Sequence, residues 1–404
     1  MQVSFIHSIH QVDPTQWDAL WGSDYPFTRH AFFAALEDSG STRADTGWQP
    51  WHALIKQDGR LIGIMPLFMK THSFGEYVFD WAWADAYAQH QLNYYPKLVN
   101  AIPFTPSTGP RIALAAHLSR SGRAIAMQRL QQCIVEMLAE QKASGWHCLF
   151  PDAQSQELLT GLPLIRRYGS QFHWFNQGFT DFDDFLDSFN SRKRKNLNKE
   201  RRKVADAGLT LRVRTGADIG GEDWDQFYEL YHRTYLKRSG SYGYLGHSFF
   251  HLLAQAMPEQ VLLVSAEIGG ARAGTHSGNM VAGAFYLRDS QTLYGRYWGA
   301  LEEHDALHFE ACFYQGIDYA IREKLKRFDP GAQGEHKIQR GFTPVKTCSY
   351  HWLAEPRFAE AVTHYCWQEA QKMDAYIADA RTYLPFRAGI PLVPMDFLMN
   401  PGCQ

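Results

Sequence analysis

The chain has 404 residues, 45% apolar and 20% charged, which allows two or three domains with real cores and excludes a disordered chain. A net charge of −2 excludes a global field that draws the protein onto nucleic acid or membrane, so basic chemistry has to be local. Six scattered cysteines without a CxxC, an N-terminus without a signal-peptide pattern and the lack of any apolar run of about 18 residues predict a cytoplasmic protein with no disulfide framework, zinc knuckle or membrane span.

In chain order, Val3–Ile9 alternates as a strand. Asp13-Pro14-Thr15-Gln16 supplies an N-cap, a proline at the first helical position and a capping-box Gln, so a helix begins there. Thr28 is expected to cap a second helix that ends near Ser39-Gly40. Trp51–Lys56 and Leu61–Lys70 flank Asp58-Gly59, a two-residue hairpin signal. Thr71–Phe104 is aromatic and lacks clear periodicity, and the prolines and glycine of Pro103–Pro110 forbid a helix. Helical spacing over Arg123–Lys142 is followed by short strands at Cys148–Phe150 and Phe172–Phe175.

Further along, Asp181–Phe189 and the basic Ser191–Ala207 read as helices, the second stopped by Gly208. Leu209–Arg214 is a strand, Trp224–Lys237 and Ser248–Met257 are helices, and Val261–Ile268, Met280–Leu287 and Thr292–Trp298 are three successive strands. A helix over Ala306–Lys324, strands at Arg327–Asp329 and Lys346–Leu353, a long helix Pro356–Ala380 and a Pro-rich tail, Tyr383–Gln404, complete the chain.

Phe150-Pro-Asp-Ala-Gln-Ser-Gln-Glu157 resembles Phe328-Asp-Pro-Gly-Ala-Gln-Gly-Glu335, and His173-Trp174 recurs as His351-Trp352. Each pair is offset by 178 positions (328 − 150), in the same predicted context of helix, short strand and loop. Such self-similarity predicts an internal duplication with one central sheet per half.

The second copy is the reactive-looking one. After Glu335 it carries His336, Lys337 and Arg340, where the first copy runs apolar. Acid or imidazole there suits a general base, and Lys337 or Arg340 suits a phosphate or an oxyanion. His308, Glu310 and Tyr314 are expected to face the same cleft. His304 and His308 are spaced as metal ligands, but no third ligand follows, so no metal is expected. Arg192, Lys193 and Lys195 of the basic helix suit a phosphate-rich ligand, as do Arg120, Gly122 and Arg123 at the start of the first long helix. Asp80, Trp83, Asp85, Tyr94, Tyr95 and Lys97 lie in the aromatic stretch, which is read as a cleft wall or lid.

His72–Asp80, Tyr94–Leu98, Pro103–Arg111, Tyr297–Gly299, Leu307–Gly316 and Phe328–Phe342 together resemble the FemAB-like family, over about Phe27 to Trp352. The family is described as predicted N-acyltransferases with a doubled GNAT-type fold, distantly related to the Fem transferases, which move amino acids from aminoacyl-tRNA to a peptidoglycan-precursor amine. The resemblance implies an α/β (α+β) fold of two tandem GNAT-like domains, each a mixed, mostly antiparallel sheet flanked by helices. The first is expected over 1–180 with the aromatic insertion 71–104, the second over 181–382 opening with the basic helix 191–207, and the tail over 383–404.

The resemblance also implies acyl or aminoacyl transfer to a primary amine. Acyl-CoA or aminoacyl-tRNA would serve as cosubstrate, with no tightly bound cofactor. The acceptor would be a small molecule or a peptidoglycan precursor, with tRNA as a further partner. Lys337 corresponds to a late Lys of the Fem enzymes, and Tyr297 is expected to protonate the leaving group. Thr105, Thr108, Arg111 and Trp298, within the shared motifs, are expected to bind substrate. The alternative is a non-catalytic, Fem-derived protein that recognises RNA or a peptidoglycan precursor. An arm of coiled coil, which some Fem enzymes use, is not evident here.

Overall fold

Local signals account for most element boundaries in the computed structural model, which describes residues 1–268, 279–332 and 334–400. The Asp13 carboxylate accepts from the Gln16 amide at 2.9 Å and starts the helix Pro14–Trp21. Asp58 and Gly59, both at positive φ, join the strands His52–Gln57 and Arg60–Met65. Asn190 caps the basic helix Ser191–Asp206, and Gly208 follows at φ 71.

Thr28 does not cap the second helix. It closes a short 3-10 turn, its hydroxyl donates to the Tyr25 carbonyl, and the helix His30–Asp38 starts after Arg29 without a side-chain cap. The stretch 71–104 is not irregular throughout. It contributes the helix Trp81–Gln89 and a wholly buried strand, Lys97–Asn100, that pairs on both sides within its sheet.

Two compact units result, and each is assembled from separated stretches of chain. The first comprises Met1–Ser170 and Val345–Ala378, with the end of the chain from Met395; the second comprises Gln171–Pro344 and Asp379–Pro394. The contiguous division at 180 and 382 is therefore corrected. The reason lies in the pairing of the strand Thr343–Leu353. Its residues Ser349 to Leu353 pair antiparallel with Leu149 to Gly145, so this late strand and the helix after it fold with the N-terminal residues.

In the first unit one sheet runs in the order Gln2–Ile6, His52–Gln57, Arg60–Met65, Ala113–Leu114. A second runs Thr343–Leu353, Gly145–Leu149, Lys97–Asn100, Phe68–Lys70, Trp48–Pro50. The helix Arg120–Glu140 contributes Leu130, Ile134 and Leu138 to a core shared with Ala53, Ile55, Leu98 and Trp146. In the second unit the order is Thr210–Thr215, Val261–Ile268, Asn279–Arg288, Thr292–Ala300, Arg327–Asp329, then the end of Ile165–Phe175. Trp224, Phe227 and Tyr231 of the helix Gly221–Ser239 pack there on Phe250 and Phe285.

Gly299 is where that helix touches the sheet by backbone. A Cβ added there overlaps the Leu230 carbonyl carbon and the Tyr231 amide nitrogen. Neither atom can rotate away, so Gly299→Ala is expected to destabilise the protein by about 1–3 kcal/mol, as overpacking does. A lowered urea midpoint with an unchanged slope checks this.

The duplication has a structural counterpart in its two histidines. His351 lies within hydrogen-bond distance of Ser349 at 2.8 Å, and His173 of Gln171 at 3.2 Å, the same i, i+2 relation at matched positions of the repeat. His173, from the first copy, belongs to the second unit, and His351, from the second copy, belongs to the first.

Candidate functional site

In the second unit, the strands Thr292–Ala300 and Arg327–Asp329 pair in parallel only as far as Tyr294 opposite Asp329. Beyond that point Arg296 is the extra residue of a bulge, since Phe285 lies opposite Tyr297 and Tyr286 opposite Gly295. The bulge aims the Arg296 guanidinium at the buried Asp329, 3.0 Å away. His173 Nε2 lies 3.9 Å from the other Asp329 oxygen, and His173 Nδ1 is buried without a hydrogen bond. Burial works to raise the Asp329 carboxyl, but Arg296 and His173 outweigh it and hold it well below the usual range. Burial pushes His173 down to about 3, so it is neutral at physiological pH.

Gly334 and Gly341, both at positive φ, bracket the 3-10 helix Glu335–Arg340. Lys337 is turned inward, 3% exposed, and its Nζ donates to the carbonyls of Gly331 (2.8 Å) and Ala332 (3.3 Å). Burial lowers its pKa to about 7; Asp329 works against that fall and Arg296 adds to it. Glu335 and His336 lie at the exposed surface. The His336 ring is flanked by Phe309 and Phe313, each 5.7 Å away, and by His308 at 6.2 Å.

His308, Glu310 and Tyr314 come together because the expected helix 306–324 is interrupted. Leu307–Phe309 leads into a π-helical turn, Glu310–Tyr314, before Gln315–Arg322. Single π turns of this kind recur at functional sites, where they re-aim side chains. His308 packs edge-on to Trp298 at 5.4 Å. The Tyr314 hydroxyl donates to Glu200 and accepts from Arg340 Nε at 3.0 Å. Arg340 also pairs with Glu200 at 2.8 and 3.0 Å and sits 3.4 Å over the Phe309 ring. Glu310, buried, pairs with Arg201 at 3.2 Å. Burial first, then neighbouring cations, hold both His308 and His336 near about 4.

Of the predicted residues, His336, Lys337, Trp298, His308, Glu310, Tyr314 and Arg340 are thus gathered in this region. Tyr297 is not among them. Alternation along the strand sends it to the face opposite Trp298, where it packs on Tyr231 and Phe285. The basic helix splits by face. Leu197, Glu200, Arg201 and Val204 look inward, whereas Arg192, Lys195, Lys199 and Arg202 are exposed and make no ion pair among the described residues. Lys193 instead donates to Gln339.

The first unit holds a separate polar cluster. Lys97 is fully buried and donates to Ser73 (2.8 Å), Glu76 (2.8 Å) and Asp80. The Tyr94 hydroxyl donates to Asp80 at 2.6 Å, and the Tyr95 hydroxyl lies 2.8 Å from Ser73. Burial raises Glu76 to about 7 despite Lys97, whereas Lys97 and His147 overcome burial at Asp80 and take it to about 2. His147 and His351 lie 2.8 Å apart through their Nδ1 atoms, and Trp83 packs edge-on to His351 at 4.8 Å. Glu76 Oε1, Asp80 Oδ1 and His147 Nε2 are buried with no hydrogen bond.

The other predicted residues are dispersed. Asp85 is exposed on its helix. Arg111 is buried and braces its own loop through the carbonyls of Leu149 (2.7 Å), Pro110 and Ser107. The Thr105 hydroxyl donates to the Pro103 carbonyl, and that of Thr108 is buried without a hydrogen bond. Arg120 and Arg123 are exposed, Ser119 caps the Gly122 amide at 3.1 Å, and Arg123 folds back on Leu118. Asp329, Arg296, His173, Glu200, Glu76 and His147 were not among the predicted site residues. The helical spacing of Leu197, Glu200, Arg201 and Val204 was a readable sign that a lone acid faces inward.

Among the described residues, no helix is long and apolar enough to cross a membrane. The profile of FemAB-like proteins, described as peptidoglycan biosynthesis/recognition, matches residues 8–388. No curated protein matches the sequence. The crystal structure of FemX is similar in fold, with a TM-score of 0.51 at 13% identity, over 90% of this chain and all of that one. A tandem GNAT protein from the clavulanic acid biosynthesis pathway, solved without AcCoA, aligns with a TM-score of 0.43 at 11% identity, over 88% of this chain and 99% of its own. A probable N-acyltransferase from Enterococcus faecalis aligns at 0.38 and 10% identity, over 89% of this chain and 73% of its own.

Proposed function

The chain belongs to the FemAB-like family, and from that premise we propose that it is an N-acyltransferase whose reacting centre lies at His336 and Lys337 in the second unit. It would move an acyl or aminoacyl group from a thioester or ester donor to a primary amine. The observation that carries this reading is the His336–His308 pair, two imidazoles kept neutral at physiological pH beside a buried cationic centre.

The attacking amine forms a bond to the donor carbonyl, and the carbonyl electrons move to oxygen. His336 takes the proton that the new ammonium must lose. Lys337 and Arg340 supply positive charge toward the developing oxyanion, in a setting where burial strengthens it. The carbon–sulfur or carbon–oxygen bond then breaks, and the leaving group takes a proton from the imidazolium. Sites of this kind gain most from holding amine and carbonyl in contact.

A base with a pKa of about 4 is weak, so His336→Gln is expected to lower kcat by about 10²-fold, the low end of the range for general bases. The measurement is initial rate with a saturating amine; an unchanged kcat would remove His336 from the role. For the donor, Arg192, Lys195, Lys199 and Arg202 support a phosphate-bearing ligand, acyl-CoA or aminoacyl-tRNA. Midpoint shifts with acetyl-CoA and with aminoacyl-tRNA, each at two salt concentrations, separate the two.

One observation favours the non-catalytic alternative. Arg340 and Glu310 are engaged in ion pairs with Glu200 and Arg201, as in a structural scaffold. Saturable binding of RNA or a peptidoglycan precursor, with no product from either donor, would support that reading.

A further inference from the structure

Two helices of the second unit, Gly221–Ser239 and His247–Ala256, bring three metal-ligating side chains to one point outside the region described above. His247 and His251 are spaced i, i+4 and therefore share a helix face. Their Nε2 atoms each lie 2.8 Å from the same oxygen, Oδ1 of Asp225 on the other helix. The three ligand atoms all fall within 4.8 Å of one another, and the Tyr228 ring packs edge-on against His247 at 4.8 Å.

The chemistry and the geometry both fit a transition-metal cation. Metal–nitrogen and metal–oxygen bonds of about 2.0–2.1 Å in a tetrahedron place ligand atoms roughly 3.3 Å apart. The two His–Asp separations of 2.8 Å lie close to that spacing. Each imidazole would ligate through Nε2 while its proton rests on Nδ1. All three side chains are partly exposed, which leaves an entry path and a fourth position for water. Two imidazoles and one carboxylate match zinc and its neighbours rather than magnesium or calcium, which prefer oxygen ligands. His247 opens its helix, where the dipole disfavours a cation, and the Asp225 carboxylate offsets that.

We infer that Asp225, His247 and His251 form a binding site for a zinc-class divalent ion that staples these two helices together. The turn between them, 240–246, is already tied to the first helix, since the Tyr231 hydroxyl accepts the amides of Tyr244 (2.8 Å) and Leu245 (3.2 Å). A metal would close the same link from the other side. The sequence does not show this site, because Asp225 meets the histidines only when the two helices pack; of the pair that the sequence does single out, His304 and His308, the second packs on Trp298 and His336.

The test uses the untagged full-length chain, stripped with a chelator and then titrated with zinc chloride. One equivalent bound by calorimetry and a rise of about 5 °C in the unfolding midpoint at hundredfold excess over Kd are expected. Cobalt(II) should give a visible absorption band of low-coordinate geometry. His247→Gln/His251→Gln and, separately, Asp225→Asn keep the surface polar; the first should abolish binding and the second weaken it at least tenfold. Absence of zinc binding, or the same stoichiometry and affinity in the double variant, would overturn the assignment.

Discussion

Lys97→Met is expected to destabilise the protein by about 3–5 kcal/mol at pH 7, the range for breaking a buried ion pair by removing one partner. Lys97 Nζ holds Ser73, Glu76 and Asp80 together with no exposure to water. Without it two buried carboxylates face each other, and Asp80 keeps only hydroxyl partners, Tyr94 and Ser73. Lys70 stands 4.0 Å from Glu76, where Lys97 stands at 2.8 Å, so it offsets the lost charge only in part.

The pH dependence has a definite sign. Asp80, depressed to about 2, contributes stability that is present above its unfolded pKa and is lost as pH falls toward 2. Glu76, raised to about 7, binds a proton in the folded state that the unfolded chain has released, so its term weakens the fold as pH climbs from the ordinary carboxylate range to 7. In Lys97→Met both carboxyls keep their protons to higher pH. The deficit against the parent should therefore be small near pH 3 and grow toward pH 7. Denaturant unfolding at several pH values measures it. Glu76→Gln and Asp80→Asn added to Lys97→Met should recover most of the loss, since neutral replacements remove the unpaired charges. A deficit that did not vary with pH would mean that lost packing, not charge, is responsible.

The same cluster marks how far sequence reaches. Asp80, Tyr94, Tyr95 and Lys97 stand out in the sequence as polar groups among aromatic rings. The strand Lys97–Asn100 is hidden, because four residues buried on both faces show no alternation. His147 is invisible for a different reason. It becomes a partner of His351 only through pairing of strands far apart in sequence, whereas Glu76 reaches Lys97 from the loop ahead of the helix Trp81–Gln89. The exchange of strands between units is likewise unreadable locally: His173 and His351 show as repeat markers, but nothing in either segment says which unit it will join. Caps and turns were legible at Asp13, Asp58-Gly59 and Gly208, because each acts on its immediate neighbours. The π turn at Glu310–Tyr314 has no local signal of that kind, and it sets the aim of two predicted site residues.

Lys337 is expected to give the largest effect on turnover. Lys337→Met should lower kcat by about 10²–10³-fold, the usual loss when one donor toward an oxyanion is removed. It should also make the protein more stable at neutral and acid pH. The folded pKa of about 7 lies below the ordinary value of 10.5, so between those values the unfolded chain binds the proton that the folded chain has released. Parental stability thus rises with pH from 7 to 10.5, and below 7 the fold bears a desolvated ammonium that Met does not have. A loss of activity with a gain of stability distinguishes a functional lysine from a structural one, which would lose both. The rate profile adds a second sign. Turnover that requires neutral His336 and charged Lys337 falls on the acid side near 4 and on the alkaline side near 7. In Lys337→Arg the guanidinium stays charged, so the alkaline limb should move well above 7 in whatever activity remains. A limb that stays at 7 in that variant would assign the titration to another group and leave Lys337 as a brace for the carbonyls of Gly331 and Ala332.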